Sequence, residues 1–217
     1  MFLLKDIHYK DILHIPYLEI KSGEITCLFG ESGSGKSTLL RMLNNMITPD
    51  KGEIRYQNQS ISEYIPMELR QEVVMLGQEP IVFDGTVRDN LLKGLEFSGK
   101  PEVDDSSLLA LMNELKLHKK LDEDASKLSG GEKQRVAFGR VLLMGAKVYL
   151  LDEPTSALDE ETENSIMDFV TTEIKKKKKT AIMVTHSKYV AKEYSDTIIY
   201  MNEIATTPNN KVGTGHE

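Results

Sequence analysis

The sequence has little of several features that mark whole classes of proteins. It has one cysteine, Cys27, so no disulfide can form within the chain, which suits a reducing compartment. Its formal net charge of −7 opposes binding along nucleic acid. Its apolar runs fall short of the roughly 20 residues that cross a bilayer, and its N-terminus lacks a signal-peptide pattern. We therefore expect a cytosolic chain that does not bind nucleic acid and reaches any membrane through another protein.

A run of five lysines, residues 175–179, is the local exception to this acidic character. Two interpretations fit the run: a solvated helix end, or a contact with anionic lipid or RNA. We expect the solvated helix end, because an apolar strand-like run follows directly.

Residues 30–38 form a glycine-rich segment with a defined chemical pattern. They fit G-x-x-x-x-G-K-[ST], after an apolar strand-like run that contains Cys27 and before apolar residues at helical spacing. A strand, a glycine loop and a helix N-terminus together aim backbone N–H groups at one phosphate chain. We expect Lys36 to reach the terminal phosphates and Ser37 to bind Mg²⁺. The residues assigned to nucleotide binding in this segment are Gly30, Ser32, Gly33, Ser34, Gly35, Lys36, Ser37 and Thr38.

The order of apolar runs predicts an α/β fold of the P-loop NTPase type. Short alternating runs before residue 30 indicate an antiparallel β element, and later strand-type runs alternate with helical patterns, as in a mixed, mainly parallel central sheet. We predict a single domain over residues 1–217, with a catalytic lobe at about 1–79 and 146–217 and an inserted helical subdomain at about 80–145. The first helix is predicted to carry Leu39, Leu40, Leu43 and Met46 on one face.

A second motif is an apolar run, residues 148–151, that ends on Asp152 and Glu153. P-loop enzymes hold a carboxylate near Mg²⁺ at such a strand end. We expect Asp152 to support the metal, through its water, and Glu153 to orient or deprotonate the attacking water. Two acids after a strand also fit a simple helix cap, but the upstream P-loop favours the catalytic interpretation.

A third motif, residues 128–135, begins with Leu128, followed by Ser129, Gly130 and Gly131, and continues as a helix-forming run. A serine hydroxyl, bare glycine N–H groups and a helix N-terminus make an anion site. It also fits a plain capped helix start. A second anion site needs a reason, because one nucleotide fills one P-loop.

With these motifs in this order, the chain resembles the ATP-binding subunit of ABC transporters over nearly its whole length. Residues 128–132 match the LSGGQ-like signature of that family, with glutamate in the last place. Gln78 matches the Q-loop glutamine, residues 156–159 match the D-loop, and His186 matches the switch histidine. Tyr9 resembles the aromatic residue that stacks on adenine.

The resemblance implies an ATPase whose hydrolysis is coupled to transport, working as a head-to-tail homodimer that encloses two ATP molecules. Each ATP would lie between one P-loop and the Ser129, Gly130 and Gly131 of the other copy. Ser37 and Gln78 would hold Mg²⁺, and His186 would contact the γ-phosphate. Asp159 would reach across the dimer and couple the two sites.

Residues 81–83 are apolar in a loop after Gln78 and have two interpretations. In the family this region receives a coupling helix of the membrane subunit, and exposed apolar groups suit such docking. Burial in the chain's own hinge is the alternative.

The resemblance further implies a separate integral membrane permease as partner, which holds the chain at the inner face of the cell membrane. Among subfamilies the chain most resembles the short ATPases of FetA type, in metal or small-molecule export. The segment after Gln78 is similar to that of exporters, whereas residues 122–127 lack the exporter Gly-Glu-Arg-Gly stretch. The alternative function is a soluble ABC ATPase without a transporter, such as an iron–sulfur cluster assembly factor.

Overall fold

The computed structural model describes residues 1–205. Within this range the strands are β1 (Phe2–Tyr9), β2 (Leu13–Ile20), β3 (Ile25–Phe29), β4 (Lys51–Tyr56), β5 (Gln59–Ser60), β6 (Val73–Leu76), β7 (Val148–Asp152), β8 (Thr180–Thr185) and β9 (Thr197–Tyr200). The α-helices of the same range are α1 (Lys36–Leu43), α2 (Pro66–Glu72), α3 (Val87–Phe97), α4 (Asp105–Glu114), α5 (Gly130–Leu143), α6 (Glu160–Lys176), α7 (Lys188–Tyr194) and α8 (Met201–Ile204).

The central sheet has the strand order β6-β7-β8-β3-β9, and each of these pairings is parallel. Every residue of β7 and β8 is buried, as expected for strands covered on both faces by helices. The predicted mainly parallel sheet is confirmed, and the antiparallel pairings lie in the other sheet. Because the strands run in one direction, their carboxyl ends share one edge.

The N-terminal sheet is antiparallel, with the order β2-β1-β4-β5, and confirms the predicted β element. Its inner face packs on α1 and on part of the central sheet in one core cluster that includes Phe2, Ile15, Leu40 and Leu150. Burying such side chains stabilises the fold by about 1.5–3 kcal/mol each. The sheet therefore braces the helix that follows the glycine loop.

A second core cluster joins the central sheet to α5 and α6, and a third lies among α3, α4 and α5, where the helical subdomain was predicted. Helix α3 begins at Thr86 with a capping box: the Thr86 hydroxyl accepts from the Asp89 N–H, and the Asp89 carboxylate accepts from the Thr86 N–H. Asn90 is fully buried and bonds the backbone of Phe83 in both directions. The inserted helical subdomain is thus present, while the predicted bounds of the two lobes stay a prediction. Residues 206–217, which that prediction places in the catalytic lobe, lie outside the described residues.

The prediction that Met46 belongs to the apolar face of the first helix is wrong. Helix α1 ends at Leu43, and Met46 is 56% exposed. Asn45 has a φ of 56°, and a left-handed asparagine commonly ends a helix. Leu39, Leu40 and Leu43 are buried as predicted.

The structure also places Cys27 and the lysine run. Cys27 is fully buried in β3, and burial raises the pKa of its thiol to about 12, so it packs rather than reacts. The lysine run spans the C-terminus of α6, which ends at Lys176, with Lys175 paired to Asp196 and Lys177 paired to Glu173. Over residues 1–205, none of the helices combines the length and apolar character needed to cross a bilayer.

Candidate active site

Four neighbouring strands of the central sheet deliver the predicted site residues to one edge. β3 leads into the glycine loop, β7 ends at Asp152, β8 ends one residue before His186, and β6 ends two residues before Gln78. The parallel register pairs Phe29 with Thr185 and Asp152 with Val184, so these ends are level. Ligands bind outside the carboxyl ends of the strands in sheets of this kind.

The glycine loop has the backbone conformations that its sequence predicts. Gly33 and Gly35 have φ values of 83° and 87°, in the left-handed region that favours glycine. Gly35 precedes α1, whose N-terminal N–H groups face the loop. A Cβ on Gly30 would lie 3.1 Å from the Cβ of Met201, so glycine also lets α8 approach the loop.

Lys36 lies at the centre of the loop and is 7% exposed. Its Nζ donates to the carbonyl oxygens of Gly30 at 2.8 Å and Glu31 at 2.6 Å. Burial lowers the pKa of Lys36, while the carboxylates of Glu153 and Asp152 act in the opposite direction. The ammonium group is therefore held inside the loop, where its charge can meet a phosphate.

Asp152 and Ser37 form a buried oxygen pair beneath the loop. The Ser37 hydroxyl donates to Asp152 Oδ1 at 2.8 Å, and Asp152 Oδ2 is buried without a hydrogen-bond partner among residues 1–205. Burial raises the pKa of Asp152, with the Ser37 bond opposing the shift. A carboxylate oxygen and a hydroxyl are hard donors of the kind that Mg²⁺ prefers, so these residues fit the ion.

Glu153 and His186 contact each other directly. His186 Nδ1 lies 2.8 Å from Glu153 Oε2, with the histidine side chain 76% and the glutamate side chain 14% exposed. Glu153 has a φ of 49°, a left-handed conformation that costs about 1–3 kcal/mol in a residue other than glycine. Its N–H donates to the Val184 carbonyl of β8 at 3.0 Å, which fixes this backbone. The strained glutamate is thus aimed at the strand end that carries the histidine.

Glu153 and His186 both line a cavity of about 510 Å³. Gln78 lies on its wall with Lys36, Ser37, Glu153 and His186. An adjoining cavity of about 870 Å³ shares Ile12, Ser32, Gly33 and His186 with the first and is also lined by Asp11, Tyr200, Met201 and Asn202.

The residues that the adjoining cavity adds were not predicted from the sequence. Asp11 and Ile12 belong to the turn between β1 and β2, and residues 200–202 lie at the end of β9 and the start of α8. The sequence could have indicated that these residues lie in turns. Their position on the cavity wall depends on how the two sheets pack. Tyr9 itself is half-buried against the first core cluster, with Lys10 Nζ 5.1 Å from its ring centre, and the described walls of both cavities leave it out. Its adenine contact stays a prediction.

The signature segment lies outside both cavities. Ser129 caps α5: its hydroxyl accepts from the Glu132 N–H at 3.3 Å, and its own N–H donates to Glu132 at 2.8 Å. This backbone bond keeps the pKa of Glu132 low. The hydroxyl can still donate its proton, and a Cβ on Gly130 would meet no described atom within 4 Å, so the N-terminus of α5 is open to an anion.

Within the chain, helix α5, which begins at the signature, packs against the segment after Glu153. The Gln134 amide, fully buried, donates to the Pro154 carbonyl at 2.9 Å. A Cβ on Gly131 would lie 3.2 Å from the Ala157 carbonyl oxygen, so glycine permits this close packing. Asp159 is exposed and caps α6 by accepting from the Thr162 N–H at 3.0 Å. No pattern in the sequence indicated the Gln134 contact, which connects the two motifs.

The loop after Gln78 shows features of both interpretations. Ile81 is 65% exposed, whereas Val82 packs against the third core cluster. Arg140 of α5 donates to the Ile81 carbonyl at 2.9 Å and lies 4.8 Å from the centre of the Phe83 ring. The loop is therefore fastened to the helical subdomain with one apolar side chain in solvent.

A glycine loop on a parallel sheet, with a buried serine–aspartate pair and a glutamate at the next strand end, defines a P-loop nucleoside triphosphatase. Residues 13–156 match the protein family described as ABC transporter, and the chain belongs to this family. It is an ABC-type ATPase domain, of the kind that drives transporters.

Its relatives include ATP-binding proteins of transporters. YjkB of Bacillus subtilis, named as an ABC transporter ATP-binding protein, is 40% identical over 195 residues, which are 88% of this chain and 76% of that protein. The L-cystine import ATP-binding protein TcyN of the same species is 37% identical over 94% of this chain and 83% of its own length. The chain spans 57% of the longer methionine import ATP-binding protein MetN 3 of Shouchella clausii, with 36% identity.

Solved structures of ATP-binding cassettes have the same fold. The dimeric, post-hydrolysis structure of the cassette MJ0796 bound to ADP and Pi has a TM-score of 0.81 and 28% identity, over 92% of this chain and 94% of that one. A bacterial Atm1-family ABC exporter with ATP bound also has a TM-score of 0.81, with 27% identity, over 92% of this chain and 36% of that one. Import and export proteins thus both occur among the relatives.

Proposed function

We propose that two copies of this chain enclose two molecules of MgATP head to tail, and that the pair drives a separate membrane permease. In each site the P-loop of one copy faces the Ser129 end of α5 in the other. ATP joins the copies, and hydrolysis releases them. The chain would then work at the inner face of the cell membrane.

One observation carries this proposal: in the described part of the chain, the P-loop and the N-terminus of α5 both have the features of an anion site but do not share a cavity. The P-loop cavity is lined by residues from the ends of β3, β6 and β7 and by His186, and the signature residues are absent from its described wall. In this proposal the N-terminus of α5 receives a phosphate from another copy. The dimeric cassette MJ0796 gives a precedent in the same fold.

The metal proposal depends on the orphaned oxygen of Asp152. A buried carboxylate oxygen without a partner is costly, and a cation would satisfy it. Ser37 bonds the other oxygen, and Gln78 lines the same cavity, so the three residues are candidates to hold Mg²⁺ directly or through water. When bound, Mg²⁺ would neutralise charge on the β- and γ-phosphates.

The hydrolytic step is assigned to the glutamate and histidine pair. Glu153 would accept a hydrogen bond from the attacking water and orient it in line with the γ-phosphate. His186 would position the Glu153 carboxylate through the 2.8 Å contact and present its other ring nitrogen to the γ-phosphate. When ATP binds, the Lys36 ammonium group would donate to the β- and γ-phosphates in place of the loop carbonyls. Asp159, exposed at the start of α6, would contact the partner copy.

The proposed contact surface for the permease is an apolar patch on the helical subdomain, made of Ile81 and Phe97. These side chains are 65% and 60% exposed, and the Phe97 ring packs edge-on against Phe83 at 5.6 Å. Exposed apolar groups of this kind mark protein contacts. The patch begins three residues after Gln78, so docking there can reach the γ-phosphate side of the cavity.

The substitution Glu153→Gln tests the function. It keeps the shape of the side chain and removes the base, so we expect ATP binding to persist, turnover to fall by about 100-fold or more, and ATP-dependent dimers to accumulate. Phosphate release and light scattering during size-exclusion chromatography measure the two effects. Glu161→Gln, on the exposed start of α6, is the matched control and should behave as wild type. Normal turnover by Glu153→Gln would show that Glu153 does not activate the water.

A further inference from the structure

Two histidines and an aspartate meet on the antiparallel sheet, away from the residues assigned to ATP hydrolysis. His8 of β1 and His14 of β2 are direct partners across the two strands. The Nε2 atoms of both rings lie near one oxygen of Asp6, Oδ1, at 3.1 Å for His8 and 3.6 Å for His14. The two rings are stacked, with centroids 3.9 Å apart. Three metal-ligating groups therefore share one small volume.

An irregularity of the backbone brings Asp6 to the histidines. Asp6 has a φ of 52°, and the pairing of β1 with β4 shifts register between Lys5 and His8. Gly52 of β4 packs at this point, where a Cβ would come within 2.3 Å of the Asp6 carbonyl oxygen. Bulges of this kind re-aim a side chain. The backbone position of Asp6 is thus fixed by main chain on two strands.

We propose that Asp6, His8 and His14 bind a divalent transition-metal ion of the zinc class. Their ligand atoms all lie within 4.8 Å of one another. Tetrahedral zinc, with bonds of about 2.0–2.1 Å, places its ligand atoms roughly 3.4 Å apart, so small ring rotations complete the site. Imidazole with one carboxylate suits zinc, nickel and copper better than magnesium or calcium.

Access also suits a metal ion. An imidazole ring nitrogen with a lone pair can act as a ligand. The side chains are 38%, 36% and 75% exposed for His8, His14 and Asp6, so an ion can enter from solvent without unfolding the sheet.

The site lies beside the turn that borders the nucleotide cavity. His8 and His14 flank the turn that contains Asp11 and Ile12, and both of these line the larger cavity. A bound ion would tie β1 to β2 at the base of this turn. None of its three ligands belongs to the set assigned to Mg²⁺.

Zinc titration tests the proposal. It uses the 217-residue chain without an affinity tag, stripped with a chelator and free of nucleotide. We expect calorimetry to show one tight zinc ion per wild-type chain. The His8→Ala/His14→Ala variant should lose it, and Asp6→Asn should bind about 10-fold more weakly or worse. His118→Ala, at an exposed histidine after α4, is the matched control and should keep the wild-type isotherm. ATP binding by each variant shows that it is folded.

Two results would overturn the proposal: a wild-type chain that binds no zinc at micromolar concentrations, or a double variant with the wild-type isotherm. If the double variant fails to fold, the test uses the single variant His14→Gln and the absorption of bound Co²⁺ instead. Wild-type chain with Co²⁺ should then show the visible absorption of a tetrahedral histidine site, and His14→Gln should reduce it. An unchanged spectrum in His14→Gln would again reject the site.

Discussion

Asp152 carries an electrostatic cost that a cation in the site would offset. It is fully buried, one of its oxygens has no partner among the described residues, and burial raises its pKa. A raised carboxyl pKa means that the folded chain holds the proton more tightly than the unfolded chain. Stability therefore falls as pH rises from the unfolded towards the folded pKa.

Asp152→Asn removes this penalty together with the proposed metal ligand. At pH 7 we expect the melting temperature of the nucleotide-free chain to equal or exceed that of wild type. Mg²⁺-dependent hydrolysis should fall on the order of 100-fold, because charge stabilisation by the metal is worth several kcal/mol. Asp122→Asn, an exposed aspartate, is the control for both measurements. A destabilised but fully active Asp152→Asn would contradict both the electrostatic penalty and the metal role.

At the scale of elements, the helical subdomain depends on glycines that let α3 and α5 approach closely. A Cβ on Gly139 of α5 would lie 2.7 Å from Cδ2 of Leu91 and 3.2 Å from Cδ1 of Leu115. A Cβ on Gly94 of α3 would lie 3.1 Å from the Arg140 carbonyl oxygen. The same helix α5 carries the signature at its N-terminus, so its packing sets where that anion site points.

Gly139→Val tests this packing. Overfilling a packed core costs about 1–3 kcal/mol, so we expect the free energy of unfolding to fall by that amount in urea titrations. Gly130→Ala is the control on the same helix, because a Cβ there meets no described atom within 4 Å, and its change should stay within about 0.5 kcal/mol. Equal stabilities for the two variants would show that α3 and α5 are not in tight contact.

Local sequence patterns predicted the helices, strands and loops, whereas contacts between segments far apart in the sequence are set by tertiary packing. The glycine loop, the acidic strand end and the Thr86 capping box are each encoded within a few residues. The end of α1 was missed because the apolar spacing continues to Met46, while the left-handed Asn45 stops the helix. The Gln134 contact and the Asp6 bulge could not be predicted, since each needs a partner at least 20 residues away in sequence.

At the scale of the whole molecule, the proposed dimer makes each chain supply halves of two different sites. Ser129→Arg places a bulky cation on the signature half and leaves the P-loop half intact. Lys36→Ala removes the phosphate-binding ammonium from the P-loop half and leaves the signature half intact. Each variant alone should lack ATP-dependent pairing, while Ser129→Arg still binds ATP as a monomer. If sites form between copies, a mixed pair contains one complete site: the P-loop of the Ser129→Arg chain with the signature of the Lys36→Ala chain.

The steady-state ATPase rate of an equimolar mixture of these two variants tests the two-copy site most directly. We predict that the mixture hydrolyses ATP far above the sum of the two separate rates, up to about half of the wild-type rate per chain, because a head-to-tail mixed pair has one working site of two. A mixture whose rate equals that sum would contradict the two-copy site and place catalysis within a single chain.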